Sequence, residues 1–595
     1  MEAELRGLME HTAIPPRLSF PLTVAVTGHR DILHPDEAVS SAAVFFHTLA
    51  NNHPNTPLRL LSGLAEGGDR IAAHAFQIAR RERMARHDRT AADWTFVPVL
   101  PMNPTAYRQD FPDSIAEFDA LLAEATAVIV LPSPSAEELD TNQDKRIDCY
   151  EALGRHLAKH SNVVMALWDG MELDARGGTS HVVRMKLNGM EGHGYRHVSG
   201  LHDCGPVWHI PVRRCKNTVV GVEAHGHWIY PSELALTRAV IDDAFRQIDC
   251  LNEALANEVA DKAAQSATMW LSPSPEASSD LLSGLGIFER QHALLQGAVD
   301  TLAMSRDKKR AKLTLSVYAC AAAVAFFLWS ALDGVFQIAM ACGYLMSLAL
   351  AFAFYRRAKR PELSESPLDY RFLAEALRVH LYWSLAHARE PRDNSERPVS
   401  APILAAPRIL EGLLSQQAHE IGWLREALRS CALDPAGYDT VPETLQSAHI
   451  NHWIQDQFAY FRKTETRYIR LSAMLKKLSL AGVVLGLAAA AATLTLDLSE
   501  QNSPIVRHCM SIAAAVLPTV AVLIQSYGDR LAIEEQAKSA LRMQWVFERA
   551  QSYLARHATP SVLPIAMVRS LGEEALTECA NWLVLRKSKP PSMPT

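Results

Sequence analysis

The sequence of 595 residues lacks the cysteine pattern that a disulfide framework or a structural zinc site requires. Its nine cysteines are scattered and form no CxxC pair, whereas structural zinc sites use closely spaced ligand pairs. It also lacks an excess of positive charge, because 59 Lys+Arg stand against 65 Asp+Glu for a net charge of −6. Domains that bind nucleic acid are usually strongly basic. We therefore expect no metal, no resident cofactor and no nucleic-acid partner.

A secretory signal is also missing from the start of the sequence. The first twenty residues, MEAELRGLMEHTAIPPRLSF, carry charges and a Pro-Pro pair, where a signal peptide would have an uninterrupted apolar core. We therefore expect the amino terminus to stay in the cytosol.

Charged residues are absent from two adjacent runs, 313–332 and 335–355, and nearly absent from two later apolar runs, 478–498 and 509–525. The first three have the roughly 20 residues that a helix needs to cross a bilayer, and the fourth is slightly shorter. Buried helices of a soluble core are the alternative, but such runs rarely occur back to back in soluble proteins. The pattern predicts two transmembrane hairpins.

The charges that flank the apolar runs predict the orientation of both hairpins. Clusters of Lys and Arg lie at 306–312, 356–360 and 462–477, whereas the turn between the first two runs has none. By the positive-inside rule, we expect a multi-pass membrane protein with both termini in the cytoplasm. No charged residue lies in the middle of a span, which disfavours active transport.

Small residues recur at 482, 486 and 490 in the third apolar run, as Gly, Gly and Ala. This spacing permits close approach of helices in a membrane. It is compatible with contact between subunits of a homo-oligomer and equally with contact inside one chain.

The first 230 or so residues alternate short apolar runs with helical patterns. The apolar runs lie at 22–27, 58–61, 96–100, 127–131 and 163–168. Continuous apolar strands joined by helices predict a doubly wound parallel α/β sheet of the Rossmann-like type. The fold class expected for the chain is therefore this sheet followed by an all-α membrane region.

Glycine clusters follow three of the predicted strands, at the sheet edge where α/β folds bind ligands. Backbone amides in such loops approach anions closely, and a following helix adds its positive end. Arg30 and Thr179 would contact phosphate, Glu66 or Asp69 would accept from ribose hydroxyls, and Trp168 would stack on a base or ribose. The predicted nucleotide-binding residues are Gly28, His29, Arg30, Ser62, Gly63, Glu66, Gly67, Asp69, Trp168, Gly177, Gly178 and Thr179.

Three segments carry a family resemblance: VTGHR at 26–30, SGLAEGGDRIAAHAF at 62–76, and LWDG…RGGTSHVV at 167–183. Together they resemble the SLOG superfamily, the Rossmann-like group that joins the DprA/Smf proteins and the LOG phosphoribohydrolases. The resemblance covers roughly residues 20–235 and implies that this domain binds a nucleotide or an NAD or ADP-ribose derivative.

The two hairpins and their flanking helices are similar to SLATT domains, which are two-helix membrane effectors of bacterial conflict systems. DYRFLAEALRVHLYW at 369–383 carries the best local match. The resemblance implies a membrane-bound, nucleotide-sensing effector whose oligomeric helices permeabilise or depolarise the inner membrane in antiphage defence. The implied partners are a nucleotide second messenger, an enzyme that generates it, the lipid bilayer and further copies of the chain.

One departure from the LOG pattern bears on enzymatic activity. LOG hydrolases place a glutamate three residues after the threonine of the glycine motif, and here that position is Val182. An apolar side chain cannot assist cleavage of an N-glycosidic bond, so we expect binding without turnover and no catalytic residue. The alternative function is a membrane-tethered nucleotide or NAD-derivative hydrolase that uses Glu66 or Asp69.

These patterns predict six segments along the chain. They are a nucleotide-binding domain at 1–235, a helical linker at 236–300, a first two-helix transmembrane unit at 301–392, a connector at 393–445, a second transmembrane unit at 446–560 and a carboxyl-terminal tail at 561–595.

Overall fold

The structure, a computed structural model, describes residues 18–173, 175–189, 204–215, 226–232, 237–258, 275–332, 337–360, 363, 366–387, 418–431, 441–497, 504–557 and 565–588. The chain divides into two compact units. One consists of Met1–Val299 and Ala376–Ile450, and the other of Asp300–Glu375 and Asn451–Thr595. They are called the α/β unit and the helical unit below.

The described residues of the α/β unit form seven strands and the helices between them. The strands are β1 (Leu22–Gly28), β2 (Leu58–Ser62), β3 (Thr95–Leu100), β4 (Ile129–Val130), β5 (Val163–Trp168), β6 (Val207–Pro211) and β7 (His227–Ile229). The helices of six or more residues between the strands are α1 (Pro35–Asn52), α2 (Gly68–Ala85), α3 (Ile115–Ala123), α4 (Ala136–Thr141), α5 (Gln143–His160) and α6 (Thr179–Asn188). Helices α7 (Arg238–Glu258) and α8 (Pro275–Gly284) follow β7.

The sheet has the strand order β4-β3-β2-β1-β5-β6-β7. Strands β1 to β6 pair in parallel and β7 pairs antiparallel to β6. The chain therefore builds outward from β1 to β4 and then returns to place β5 on the other side of β1. The order of construction reverses between β1 and β5, and ligands of open α/β sheets bind at such a switch point.

The central strands are buried along their whole length. All residues of β2, β3 and β5 are buried, as are the first six of β1. Helices cover both faces of such a sheet, so its strands need no polar alternation. The predicted fold class is confirmed. Strands β6 and β7 were not predicted, because β6 is short and follows a Gly- and His-rich segment that reads as loop.

The amino-terminal edge of the sheet is closed by a helix from far along the chain, α12 (Ala418–Arg429). Beneath the strands, Asn162 Nδ2 donates to the carbonyl of Glu426 at 2.9 Å, and the buried Arg59 donates to the carbonyl of Ser430 at 2.7 Å. Helix α7 also joins this unit through Asn252, which exchanges hydrogen bonds with the backbone of Phe20. The α/β unit thus extends well beyond the predicted 1–235 segment.

The remaining helices are long. They are α9 (Ile287–Leu332), α10 (Gln337–Ala358), α11 (Ser366–His387), α13 (Glu443–Asp497), α14 (Pro504–Arg530), α15 (Ile533–His557) and α16 (Ile565–Lys587). The division between the units falls inside α9, α11 and α13. Helix α16 lies in the segment predicted as a tail.

Four helical segments of the described chain are long and apolar enough to cross a membrane: Ile287–Ala331, Gln337–Ala358, Glu443–Asp497 and Pro504–Arg556. Only 6% to 22% of the most apolar stretch of each is buried. A helix in the core of a soluble protein would be covered, whereas a lipid-facing helix exposes apolar side chains. The chain therefore has a membrane region of four candidate spanning helices.

The small residues of the second hairpin lie against the neighbouring helix of the same chain. A Cβ added at Gly482 would lie 3.1 Å from the Cβ of Ala521, and one added at Gly486 would lie 2.5 Å from Cγ of Pro518. Ala490 is exposed, and Ala489 is buried instead. Of the two alternatives left open by the sequence, the structure supports contact within one chain for Gly482 and Gly486.

Candidate functional site

At the switch point of the sheet, backbone and side-chain contacts join the ends of β1 and β5. Gly28 is the register partner of Leu167, and the amide of His29 donates to the carbonyl of Leu167 at 3.1 Å. Just beyond the strands, Nε2 of His29 lies 3.0 Å from Oδ1 of Asp169. His29 therefore sits between the two strand ends, where the topology predicts a ligand.

The first glycine loop, residues 63–68, is pressed against the end of β1. Gly67 has a φ of +78°, and a Cβ there would lie 2.3 Å from the carbonyl oxygen of His29. The amide of Gly68 donates to that same oxygen at 2.9 Å, and a Cβ on Gly28 would lie 2.7 Å from Cα of Gly68. Only glycine fits at these positions. The contacts bring the amino-terminal end of α2 to the switch point.

The polar groups of this loop form hydrogen bonds within the protein. Ser62 Oγ donates to the carbonyl of Asp69 at 3.1 Å and accepts from the amide of Leu64 at 3.1 Å. The carbonyl of Gly63 accepts from the hydroxyl of Tyr107 at 2.9 Å. Glu66 accepts from Ser114. These bonds hold the conformation of the loop from within the chain.

Asp69 lies in the first turn of α2 and is buried. Burial raises the pKa of its carboxyl to about 7, and the amide of Ala65 and the guanidinium of Arg30 offset the effect only in part. The Asp69 carboxyl therefore gains or loses a proton near neutral pH, which suits an acceptor for a ligand hydroxyl or an acid–base group.

The second glycine loop begins α6. Gly177 has a φ of +72°, and its amide donates to Nδ1 of His181 at 3.0 Å. The amide of Gly178 donates to the carbonyl of Ala175 at 3.1 Å, and Thr179 is the first residue of the helix. A Cβ on Gly177 would lie 2.9 Å from the Cβ of Tyr150. The loop is thus seated on α5.

Tyr150 connects the second glycine loop with Arg30, and the sequence reasoning missed it. Arg30 Nη2 donates to the Tyr150 hydroxyl at 3.2 Å, and the guanidinium lies 5.7 Å from the centre of the Tyr150 ring. The hydroxyl in turn donates to Asp110, which Arg146 contacts at 2.7 Å. Burial and the bond to Asp110 raise the pKa of Tyr150, so the phenol stays neutral. Arg146 and Tyr150 are four residues apart and therefore lie on one face of α5. This spacing could have indicated that both side chains contact the same neighbouring group.

A second missed group surrounds His29. Arg214 Nη1 lies 3.7 Å from Asp169 Oδ2, and its Nε donates to Asp31 at 2.8 Å. Burial alone would raise the pKa of Asp169, but the Met171 amide, His29 and Arg214 together lower it. The carboxylate beside His29 is therefore charged. Arg214 follows the unpredicted strand β6, so the sequence offered no signal for it.

Trp168 contributes to the core rather than to an open surface. Its side chain is 7% exposed, its Nε1 donates to the carbonyl of Met171 at 3.1 Å, and its ring lies 5.5 Å from that of His209. The structure leaves the indole little free face for a base. The aromatic ring beside Arg30 is that of Tyr150.

Val182, which occupies the position of the LOG glutamate, is also in the core. Val182 is 3% exposed, and its Cγ2 would lie 2.8 Å from a Cβ on Gly154. A carboxylate at this position would be buried among apolar groups.

No group of three metal-ligating side chains occurs among the residues that the structure describes. His181 Nδ1 accepts a hydrogen bond from the amide of Gly177, and His193, His197 and His202 lie outside the described residues. No family model and no curated protein sequence matches the chain. The resemblances to SLOG and SLATT domains therefore remain predictions.

Proposed function

We propose that this protein is a membrane-bound nucleotide-sensing effector. The α/β unit binds a nucleotide, or an NAD or ADP-ribose derivative, at the switch point, and binding causes the membrane helices of an oligomer to permeabilise or depolarise the inner membrane. The resemblance to SLOG and SLATT domains implies a role in bacterial antiphage defence, downstream of an enzyme that makes the signal. Both termini face the cytoplasm.

The observation that carries the proposal is the convergence of two glycine loops, each at the start of a helix, on the edge that holds Arg30. Gly67 packs on the backbone of Arg30, and Gly177 packs on Tyr150, which holds the Arg30 side chain. Two positive helix ends and one guanidinium form a combination that recognises phosphate. Arg30 is exposed at this edge, and Gly177 is half-buried beside it.

In this proposal, helices that run through both units transmit the signal. Helices α9, α11 and α13 each begin in one compact unit and end in the other. A ligand that binds one conformation more tightly shifts the population of conformations. Moving a channel from mostly shut to mostly open requires about 5.5 kcal/mol of differential binding. Several sensors in one oligomer reach this value more easily than a single sensor does.

Binding is tested by calorimetry of the purified full-length protein in detergent against a panel of nucleotides. The full chain is needed because a 1–235 fragment would lack α7 and α12, which belong to the α/β unit. Arg30→Gln should abolish binding of the ligand that the wild type binds. Arg86→Gln, at the opposite end of α2, removes the same charge and should leave binding intact.

Membrane permeabilisation is tested by release of a trapped dye from vesicles that contain the wild type, Arg30→Gln or Arg86→Gln. Ligand should trigger release with the wild type and the Arg86 variant but not with the Arg30 variant. Ligand-triggered leakage that persists in the Arg30 variant would show that the sensor is misassigned.

The pair of His29 and Asp169 favours a second candidate function, hydrolysis of the bound nucleotide. A carboxylate that holds an imidazole by one nitrogen leaves the other to accept a proton from water. Incubation of the full-length protein with nucleotides, followed by chromatography for released base or phosphate, tests this function. Turnover that is lost in His29→Gln would support it, and intact nucleotide would exclude it.

A further inference from the structure

Four cations form a stripe on α13 just before its apolar part. Lys463, Arg467, Arg470 and Lys477 are all exposed, and they follow one another at i, i+4, i+7 and i+14. At about 100° per residue they fall within an arc of about 80° on the helix surface. Met474, at i+11, lies on the same face and is 50% exposed. These four basic residues are called the cationic stripe.

The cationic stripe forms no ion pair with any residue that the structure describes. The adjacent Lys476 points elsewhere and pairs with Glu534. Like charges four residues apart on a helix repel each other and destabilise it. A row of exposed, unpaired cations on a folded helix therefore indicates that anions outside the chain compensate it.

The same face becomes apolar directly after Lys477. Leu478 and Leu485 continue the line of the cationic stripe and are 48% and 57% exposed. An exposed apolar face of a candidate spanning helix lies in the hydrocarbon of the bilayer, and the polar headgroup layer extends a further ~5–7 Å on each side. The end of the cationic stripe is thus at the depth of the lipid headgroups.

We propose that the cationic stripe is a binding site for anionic phospholipid headgroups. The lipid phosphates neutralise the repulsion along α13 and hold the helix at a defined depth in the bilayer. Each cation near an anionic membrane surface strengthens binding by about fivefold. This site is independent of the nucleotide proposed above.

The contribution of each cation should decrease along the helix. With a rise of 1.5 Å per residue, Arg470 is about 12 Å from Leu478, whereas Arg467 and Lys463 are about 17 and 23 Å away. Charges are screened over about 8 Å at physiological ionic strength. Lys477 and Arg470 should therefore dominate. An acidic helix of a partner protein would instead contact all four cations with similar strength.

The test uses the full-length protein reconstituted into phosphatidylcholine vesicles that contain a minority of phosphatidylglycerol. Protein is extracted with its surrounding lipid in a polymer disc, and mass spectrometry gives the ratio of the two lipids. Wild type should be enriched in phosphatidylglycerol. K477Q/R470Q should lower the enrichment about fivefold or more, and K463Q/R467Q should lower it much less.

Two further variants serve as controls. R549Q/R556Q removes two exposed charges from α15 and should leave the enrichment unchanged, and K477R/R470K should preserve it. An unchanged ratio in K477Q/R470Q, or an equal loss in R549Q/R556Q, would overturn the proposal. Equal losses in the two α13 double variants would contradict the decrease along the helix that lipid headgroups impose.

Discussion

Gly486 lies directly against Pro518 in the second hairpin. A Cβ at Gly486 would lie 2.5 Å from Cγ and 2.6 Å from Cδ of the proline ring. The contact joins the glycine of α13 to the one proline inside α14. Close by, Ser479 Oγ donates to the carbonyl of Ala521 at 3.1 Å. Two features that the sequence shows separately are thus one packing contact.

Gly486→Ala should therefore destabilise the protein in detergent by about 1–3 kcal/mol, the usual cost of overpacking. Pro518→Ala removes Cγ and Cδ of the ring, so the double variant should recover most of the loss. Thermal unfolding of the four proteins of this double-mutant cycle measures the coupling. Gly422→Ala, at a helical glycine with nothing within 4 Å, is the control. Additive effects would contradict the contact.

Tyr150→Phe should weaken nucleotide binding while the fold is retained. The substitution keeps the ring that supports Gly177 but removes the hydroxyl that bonds to Arg30 and Asp110. A hydrogen bond to a charged group is worth about 1.5–3 kcal/mol, and this energy, which orients Arg30 within the protein, sets an upper limit of about 100-fold on the increase in Kd. Calorimetry and thermal unfolding of the same sample separate binding from folding. An unchanged Kd would remove Tyr150 from the site.

Asp69→Asn should stabilise the protein more at pH 8 than at pH 5. The folded-state pKa of about 7 exceeds the ordinary value of 3.8. Folding therefore favours the protonated carboxyl, and stability falls as the pH rises through 7. At pH 8 the Asp69→Asn substitution should raise the free energy of unfolding by at most about 4 kcal/mol. A gain that does not depend on pH would show that Asp69 is not buried as described.

Acid should destabilise the α/β unit through buried histidines. Burial lowers the pKa of His156 to about 3, and it also lowers the pKa of His160 and His380 well below the ordinary value of 6.5. The unfolded chain binds these protons below pH 6.5 and the folded one does not, so stability is full above 6.5 and falls as the pH decreases.

The measurement is urea unfolding followed by tryptophan fluorescence between pH 7 and pH 5. His156→Phe replaces one titrating ring with an apolar ring. It should reduce the change of the free energy of unfolding with pH by at most about 1.4 kcal/mol per pH unit. Stability that is flat over this range in the wild type would contradict the burial of these imidazoles.

The parallel sheet and the four candidate spanning helices could be predicted because each depends on local composition. An apolar run of about 20 residues must be removed from water and has the length of a membrane span, and short apolar strands between helices pair in parallel. The glycine loops were also predictable, since Gly67 and Gly177 have positive φ values that other residues rarely adopt.

The partners of the site residues could not be predicted in the same way. Tyr150 is 120 residues from Arg30, and Arg214 is 45 residues from Asp169, so no spacing in the sequence indicates either contact. Whether Trp168 faces a ligand or the core likewise depends on strand pairing. These contacts form only when β1, β5, β6 and α5 are assembled.

By itself, the sequence determined where strands, loops with positive φ and membrane-length helices occur, because backbone conformation and hydrophobicity act over a few residues. Only the tertiary structure decided which side chains meet at the switch point, that α7 and α12 complete the α/β unit, and that Gly486 packs on Pro518. Such contacts depend on which distant segments lie side by side, and that is settled by packing of the whole chain.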